Sequence, residues 1–82
     1  MAARNPKPLH RRLLEQACDL SAEGNHSQAV VLFRRSAKLG NLEAQVNLAN
    51  ALDEGIGALQ DFAEARRWYQ NAARRGLPEA AY

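Results

Sequence analysis

The sequence predicts an all-α protein made of repeated helical hairpins, about two and a half of them. Self-similarity is the first sign. Shifting the 82-residue chain by 36 positions places Asn25 on Asp61, Ala29 on Ala65, Phe33 on Tyr69 and Ala37 on Ala73. The same shift places Gly40 on Gly76, Glu43 on Glu79 and Ala44 on Ala80. Upstream the register changes: Ala17 and Leu20 meet Ala49 and Leu52 at a shift of 32, so the first unit has a linker four residues shorter. Apolar residues at helical spacing are the second sign. Glycines are the third: Gly24, Gly40 and Gly76 stand where helices should stop, and Gly55-Ile56-Gly57 interrupts the longest unit.

Taken in order, residues 1–9 hold two prolines and two bases and no apolar periodicity, so they read as an N-terminal tail. The first helix is expected from about Leu9 to Glu23, with Leu13, Gln16, Ala17 and Leu20 on its inner face and Gly24-Asn25 as its end. Ser27 is placed to cap a second helix reaching about Leu39, with Val30, Phe33 and Ala37 inward. Asn41 can cap a third, Leu42 to Glu54, burying Ala44, Leu48, Ala49 and Leu52. Asp61 can cap a fourth, to Arg75, with Glu64 three residues on completing a capping-box variant. Arg74 and Arg75 fall in its last turn, where the helix dipole favours cations. Pro78 suits the first turn of a fifth helix, cut off at Tyr82. Small Ala49, Ala65 and Ala72 are expected where helices cross, flanked by Leu52, Trp68 and Tyr69.

One stretch carries a family resemblance. Asn47-Leu48-Ala49, Gly55-x-Gly57, Asp61, Ala65, Trp68-Tyr69, Ala72-Ala73 and Gly76 together resemble the Sel-one-like repeat, a relative of the tetratricopeptide repeat. Ala49 stands where that family usually has glycine, and Leu52 where it often has tyrosine; the order of small then large is kept. The resemblance divides the chain into a degenerate, tetratricopeptide-like repeat at 10–40, a Sel-one-like repeat at 41–76, and the truncated start of a third repeat at 77–82. It implies a right-handed α/α superhelix. It also implies a non-enzymatic interaction scaffold that holds a peptide or partner domain in a concave groove lined by the first helix of each pair.

On the third helix the residues turned to that groove are Glu43, Val46, Asn47, Asn50, Asp53 and Glu54. On the first they are Arg11, Leu14, Cys18, Ser21 and Ala22. Val46, Asn50 and Glu54 succeed one another by one turn and form a ridge. An asparagine amide offers both donor and acceptor, which suits clamping a peptide backbone.

Charge and motif content narrow the classes further. The net charge of +2 is too small to argue for nucleic acid. Residues 42–54 carry a net −3 and residues 27–39 a net +3, so charge segregates by helix. Four Arg-Arg pairs, beginning at Arg11, Arg34, Arg66 and Arg74, invite a nucleic-acid reading as the alternative. Neighbours on a helix point about 100° apart, so no pair makes one stripe, and the aromatics are needed inside. No glycine-rich nucleotide loop, zinc-protease motif or Cys-x-x-Cys occurs, and neither enzyme chemistry nor a cofactor or metal is expected. The lone Cys18 permits no internal disulfide and reads as a small buried group. No run approaches the roughly 18 apolar residues of a membrane span, and the start lacks a secretory core, so the chain reads as cytoplasmic. Finally, the fourth helix should expose an apolar strip containing Phe62 or Trp68, with Leu77 and Tyr82 loosely attached. Either a longer array or a homodimer through this C-terminal edge is expected.

Overall fold

The structure, a computed structural model, describes residues 6–76. Four helices follow one another: α1 (Leu9–Ala22), α2 (His26–Lys38), α3 (Leu42–Glu54) and α4 (Phe62–Arg74). They pack as two hairpins, α1 on α2 and α3 on α4, and α2 against α3 joins the hairpins into a helical-hairpin solenoid. Leu77 and Tyr82, with the rest of the truncated third repeat, lie outside the described residues, as do residues 1–5 of the tail.

The caps explain the later boundaries. Asn41 Oδ1 accepts from the Ala44 N–H at 2.8 Å and opens α3. Asp61 Oδ1 accepts from the Glu64 N–H at 3.0 Å and opens α4. Each satisfies one of the orphan donors of a first turn. Gly55, at φ 70°, closes α3 in the left-handed region that non-glycine residues rarely adopt. The opening of α2 differs from expectation. Asn25 is its N-cap but its side chain makes no capping bond, and Ser27 lies inside the first turn.

One core runs through both hairpins. Ala17, Ala29, Val30, Phe33, Ala37, Ala44, Leu48, Ala49, Leu52 and Ala65 are all buried in it. The crossing points are the expected small residues, and Ser36 joins them: Ser36 and Ala72, equivalent at the 36-residue shift, are both 0% exposed. A buried hydroxyl needs a partner. Ser36 Oγ finds it in the His10 carbonyl oxygen at 2.5 Å, pinning the start of α1 to α2. On α1 the buried set is Leu13, Leu14 and Ala17, with Leu20 half-buried and Gln16 exposed. The apolar stripe is therefore rotated toward Leu14, and Gln16 is left to solvent.

Three polar links tie the units together, and each includes a bond between residues more than 20 apart in sequence. Gln45 is 2% exposed; its Nε2 donates to the Ala37 carbonyl at 3.2 Å and its Oε1 accepts from Asn71 Nδ2 at 2.7 Å. One side chain thus bonds both α2 and α4. Asn41 Nδ2 lies 3.0 Å from His10 Nδ1. Because Asn41 Oδ1 is committed to the α3 cap, the amide nitrogen is the donor and His10 Nδ1 the acceptor. The third link is Arg34, whose guanidinium pairs with the Glu64 carboxylate across the hairpins, while Trp68 Nε1 donates to Glu64 Oε2 at 3.0 Å. Glu64 therefore does not close a capping box. The Asp61 N–H it would have reached donates instead to the Leu52 carbonyl at 2.8 Å.

Glu64 gives a pH prediction. The hydrogen bond from Arg34, and then that from Trp68, hold its carboxyl below the ordinary 4.5 against the opposing effect of burial. A carboxyl whose folded pKa is depressed contributes stability that is present above the unfolded value and lost as pH falls through the folded one. Wild-type melting temperature should fall on acidification from about pH 4.5 to 3, and more steeply than that of Glu64→Gln, which has no such proton to take up. Parallel pH profiles for the two proteins would contradict this.

Candidate protein-binding groove

The sequence places eleven residues in a groove along α1 and α3; of the five on α1, Cys18 and Ala22 are exposed and Ser21 is half-buried at the edge of the hollow described below. Arg11, Glu43, Asn50 and Glu54 are exposed, and Val46 and Asn47 are half-buried. Leu14 is a correction: at 4% exposure its side chain belongs to the core, and it has no surface to offer a partner. Asp53 is exposed but lines a different hollow, on the α4 side of α3, with Phe62, Ala65, Arg66 and Tyr69. One residue before Glu54, it points about 100° away from it.

The N-terminal half of the surface is charged and internally paired. Arg11 Nη1 reaches Glu43 Oε1 at 3.6 Å, bridging α1 to α3. Arg11 Nε also reaches Glu15 Oε2 at 3.5 Å, and Lys7 Nζ reaches it at 2.8 Å. Lys7, and then Arg11, hold the Glu15 carboxyl below the ordinary range. All four side chains are well exposed, so these pairs are weak and salt-sensitive. They hold Arg11 and Glu43 side by side across α1 and α3.

The C-terminal half is a hollow of about 210 Å³ between α2 and α3. Ala29, Val30 and Phe33 form its apolar floor, and Asn47, Asn50 and Glu54 stand on its rim. Asn50 is not simply a free amide. Its Oδ1 accepts from the Tyr69 hydroxyl of α4, so part of its role is to hold the second hairpin.

Cys18 corrects another expectation. It is exposed, not buried. Partial burial first, and then the carboxylates of Asp19, Glu43 and Glu15, push its thiol up. A thiol held protonated is a poor nucleophile. Among the described residues no group of three or more His, Cys, Asp or Glu is placed to hold a metal. No helix among them is long and apolar enough to cross a membrane.

Comparison with known proteins decides the family. The Sel1 repeat profile matches residues 20–41 and 42–77, a run covering most of the chain. The chain belongs to the Sel1 repeat family. The second Sel1 match holds α3, the double-glycine loop and α4, and the first holds the end of α1 and α2. Sel1 repeats are generally protein–protein interaction modules and typically non-enzymatic. Among curated proteins the chain is similar to chitin synthase regulator SKT5 of Saccharomyces cerevisiae, 33% identical over 57 residues. That match covers 70% of this chain and 8% of the relative. No solved structure matches significantly.

Sequence reasoning missed the roles of Gln45, His10, Ser36 and Arg34, which fix the helices bordering the candidate groove against one another. Only a pattern linking residues 26 to 31 apart could have found three of their bonds.

Proposed function

We propose that the chain is a cytoplasmic scaffold module that binds a peptide or partner domain along the α1–α3 surface. One observation carries the reading. The two first helices are bridged by Arg11 and Glu43, and the same face continues into the Asn47–Glu54 hollow. Charged, amide and apolar groups thus follow one another along a single surface, the mixture that protein recognition uses. Sel1 membership supports protein as the ligand class, and a relative named as a regulator fits a module that acts by contact. A reducing compartment suits a chain whose one thiol is exposed.

The test is affinity capture from the source cell with paired variants. Glu43→Lys with Asn47→Lys should abolish capture at unchanged helicity. Asn50 is left intact because its loss would also cut the bond to Tyr69. Arg66→Glu, on α4, should retain capture. Equal loss with both variants would remove the groove as the binding surface. Binding that instead requires Arg66 and falls steeply with salt would favour a nucleic-acid partner.

The C-terminal edge supports a second contact, with another copy of the chain. Phe33 is 7% exposed, whereas its repeat equivalent Tyr69 is half-buried, and Phe62 is 60% exposed beside it in a hollow of about 460 Å³. α3 covers α2, and no described element covers α4 in the same way. Trp68, tied to Glu64, is less available than Phe62. Sedimentation should show concentration-dependent dimers that Phe62→Glu shifts to monomer; a wild type that stays monomeric at every concentration would exclude the contact.

A further inference from the structure

We infer that the hollow between α2 and α3 is a pocket for one long-stemmed cation, the lysine or arginine side chain of a segment lying in the groove. The inference rests on the groove reading and names what that groove selects.

Size comes first. At about 210 Å³ the hollow is smaller than the roughly 300–1,000 Å³ typical of small-molecule sites, and it suits a single side chain. Its floor is apolar, formed by Val30 and Phe33 over Ala29. A butyl or propyl stem loses little by lying there, with its head kept at the rim.

The rim then sets the sign of the head. Three other carboxylates already have a cation: Glu15 pairs with Lys7 and Arg11, Glu43 with Arg11, and Glu64 with Arg34. Glu54, like Asp19, Glu23, Asp53 and Asp61, has no such partner among the described residues, although eight arginines lie on the described helices or just beyond them. Of these five unpaired carboxylates only Glu54 lines this hollow. It stands beside the Asn47 and Asn50 amides, and the remaining ionisable side chain at the rim is His26. No lysine or arginine lines the hollow, so an anionic side chain would meet Glu54 with no permanent cation to offset it. A purely apolar side chain would fill the floor but strip water from Glu54 and the amides without replacing its hydrogen bonds. An ammonium or guanidinium head supplies donors to the Glu54 carboxylate, and charge-assisted bonds of this kind are the stronger class. Asn47 and Asn50 carbonyl oxygens can accept the remaining donors, since each oxygen has two lone pairs.

The experiment is selection of groove-binding peptides from a random displayed library on the full chain, followed by synthetic variants of the winners. Binders should carry one invariant lysine or arginine. Replacing it by norleucine, which keeps the stem and drops the charge, should weaken binding by about tenfold or more. Glu54→Gln should cost a similar factor with the basic peptide and nothing further with the norleucine peptide. Glu54 is exposed, so this variant should keep the wild-type melting curve. Groove binders without a basic residue, or equal affinities for Glu54→Gln and wild type, would overturn the pocket while the groove reading stands. A selection that yields no peptide sensitive to Glu43 or Asn47 would overturn both.

Discussion

Gly57→Ala should lower the melting temperature by roughly 10–20 °C. The residue has φ 79°, and a Cβ there would stand 2.4 Å from the His26 carbonyl oxygen, 2.6 Å from its carbon and 2.9 Å from Val30 Cγ2. Two of those atoms are backbone at the first residue of α2, which cannot swing aside. The loop between α3 and α4 would have to lift off α2. The left-handed backbone alone costs about 1–2 kcal/mol for an alanine, and the clash raises the expected total to at least about 3 kcal/mol. Gly24→Ala separates the two causes. Gly24 has φ 86° but nothing within 4 Å of a new Cβ, so only the backbone cost applies. Thermal unfolding of both variants checks the argument; equal shifts would show that the loop does not bear on α2.

Leu48→Ala should cost about 2–5 kcal/mol. Leu48 is 0% exposed and is among the largest fully buried side chains, in the core that both hairpins share. The neighbouring positions are already alanine at 44, 49 and 65, so they have little side chain with which to fill the gap. Small repeat arrays have little stability to lose, because each unit buries its apolar face only against the next. Val31→Ala, 58% exposed on the adjoining helix, should change stability by no more than about 0.5 kcal/mol. Denaturant unfolding of the two proteins should show one cooperative transition moved far to lower denaturant for Leu48→Ala and barely moved for Val31→Ala. A small shift for Leu48→Ala would contradict a core common to both hairpins.

Local signals carried most of the fold. Asn41 and Asp61 cap the helices they precede because an N-cap bond reaches only three residues, well inside what a sequence window displays. Ala44, Leu48, Ala49 and Leu52 are buried as their helical spacing requires. Ambiguity begins where two assignments share a face. Leu14 and Gln16 flank the stripe through Leu13 and Ala17, and only packing of α1 against the rest of the core turns Leu14 inward. Long-range polar bonds were invisible for a different reason. Gln45 is polar, and its burial depends on a carbonyl in α2 and an amide in α4 that no local pattern predicts. Glu64 shows the same competition. Local spacing assigned it to a capping box, but Arg34, 30 residues earlier, offered a charged partner. For the groove, spacing marked Val46, Asn50 and Glu54 as a ridge on α3, and Asn50 and Glu54 both line the hollow there, whereas the split that sends Asp53 to the edge hollow arises from how α4 packs.

Site-specific photo-crosslinking tests the central claim of a binding surface along α1 and α3 most directly. A benzophenone amino acid placed at Val46, half-buried on α3, samples the groove, and one placed at Arg67, exposed on α4, samples the opposite helix pair member. In lysate of the source cell the chain labelled at position 46 should form one discrete adduct that Glu43→Lys suppresses, and the chain labelled at position 67 should form none of that mass. The same adduct from both positions, or from position 67 alone, would contradict the account.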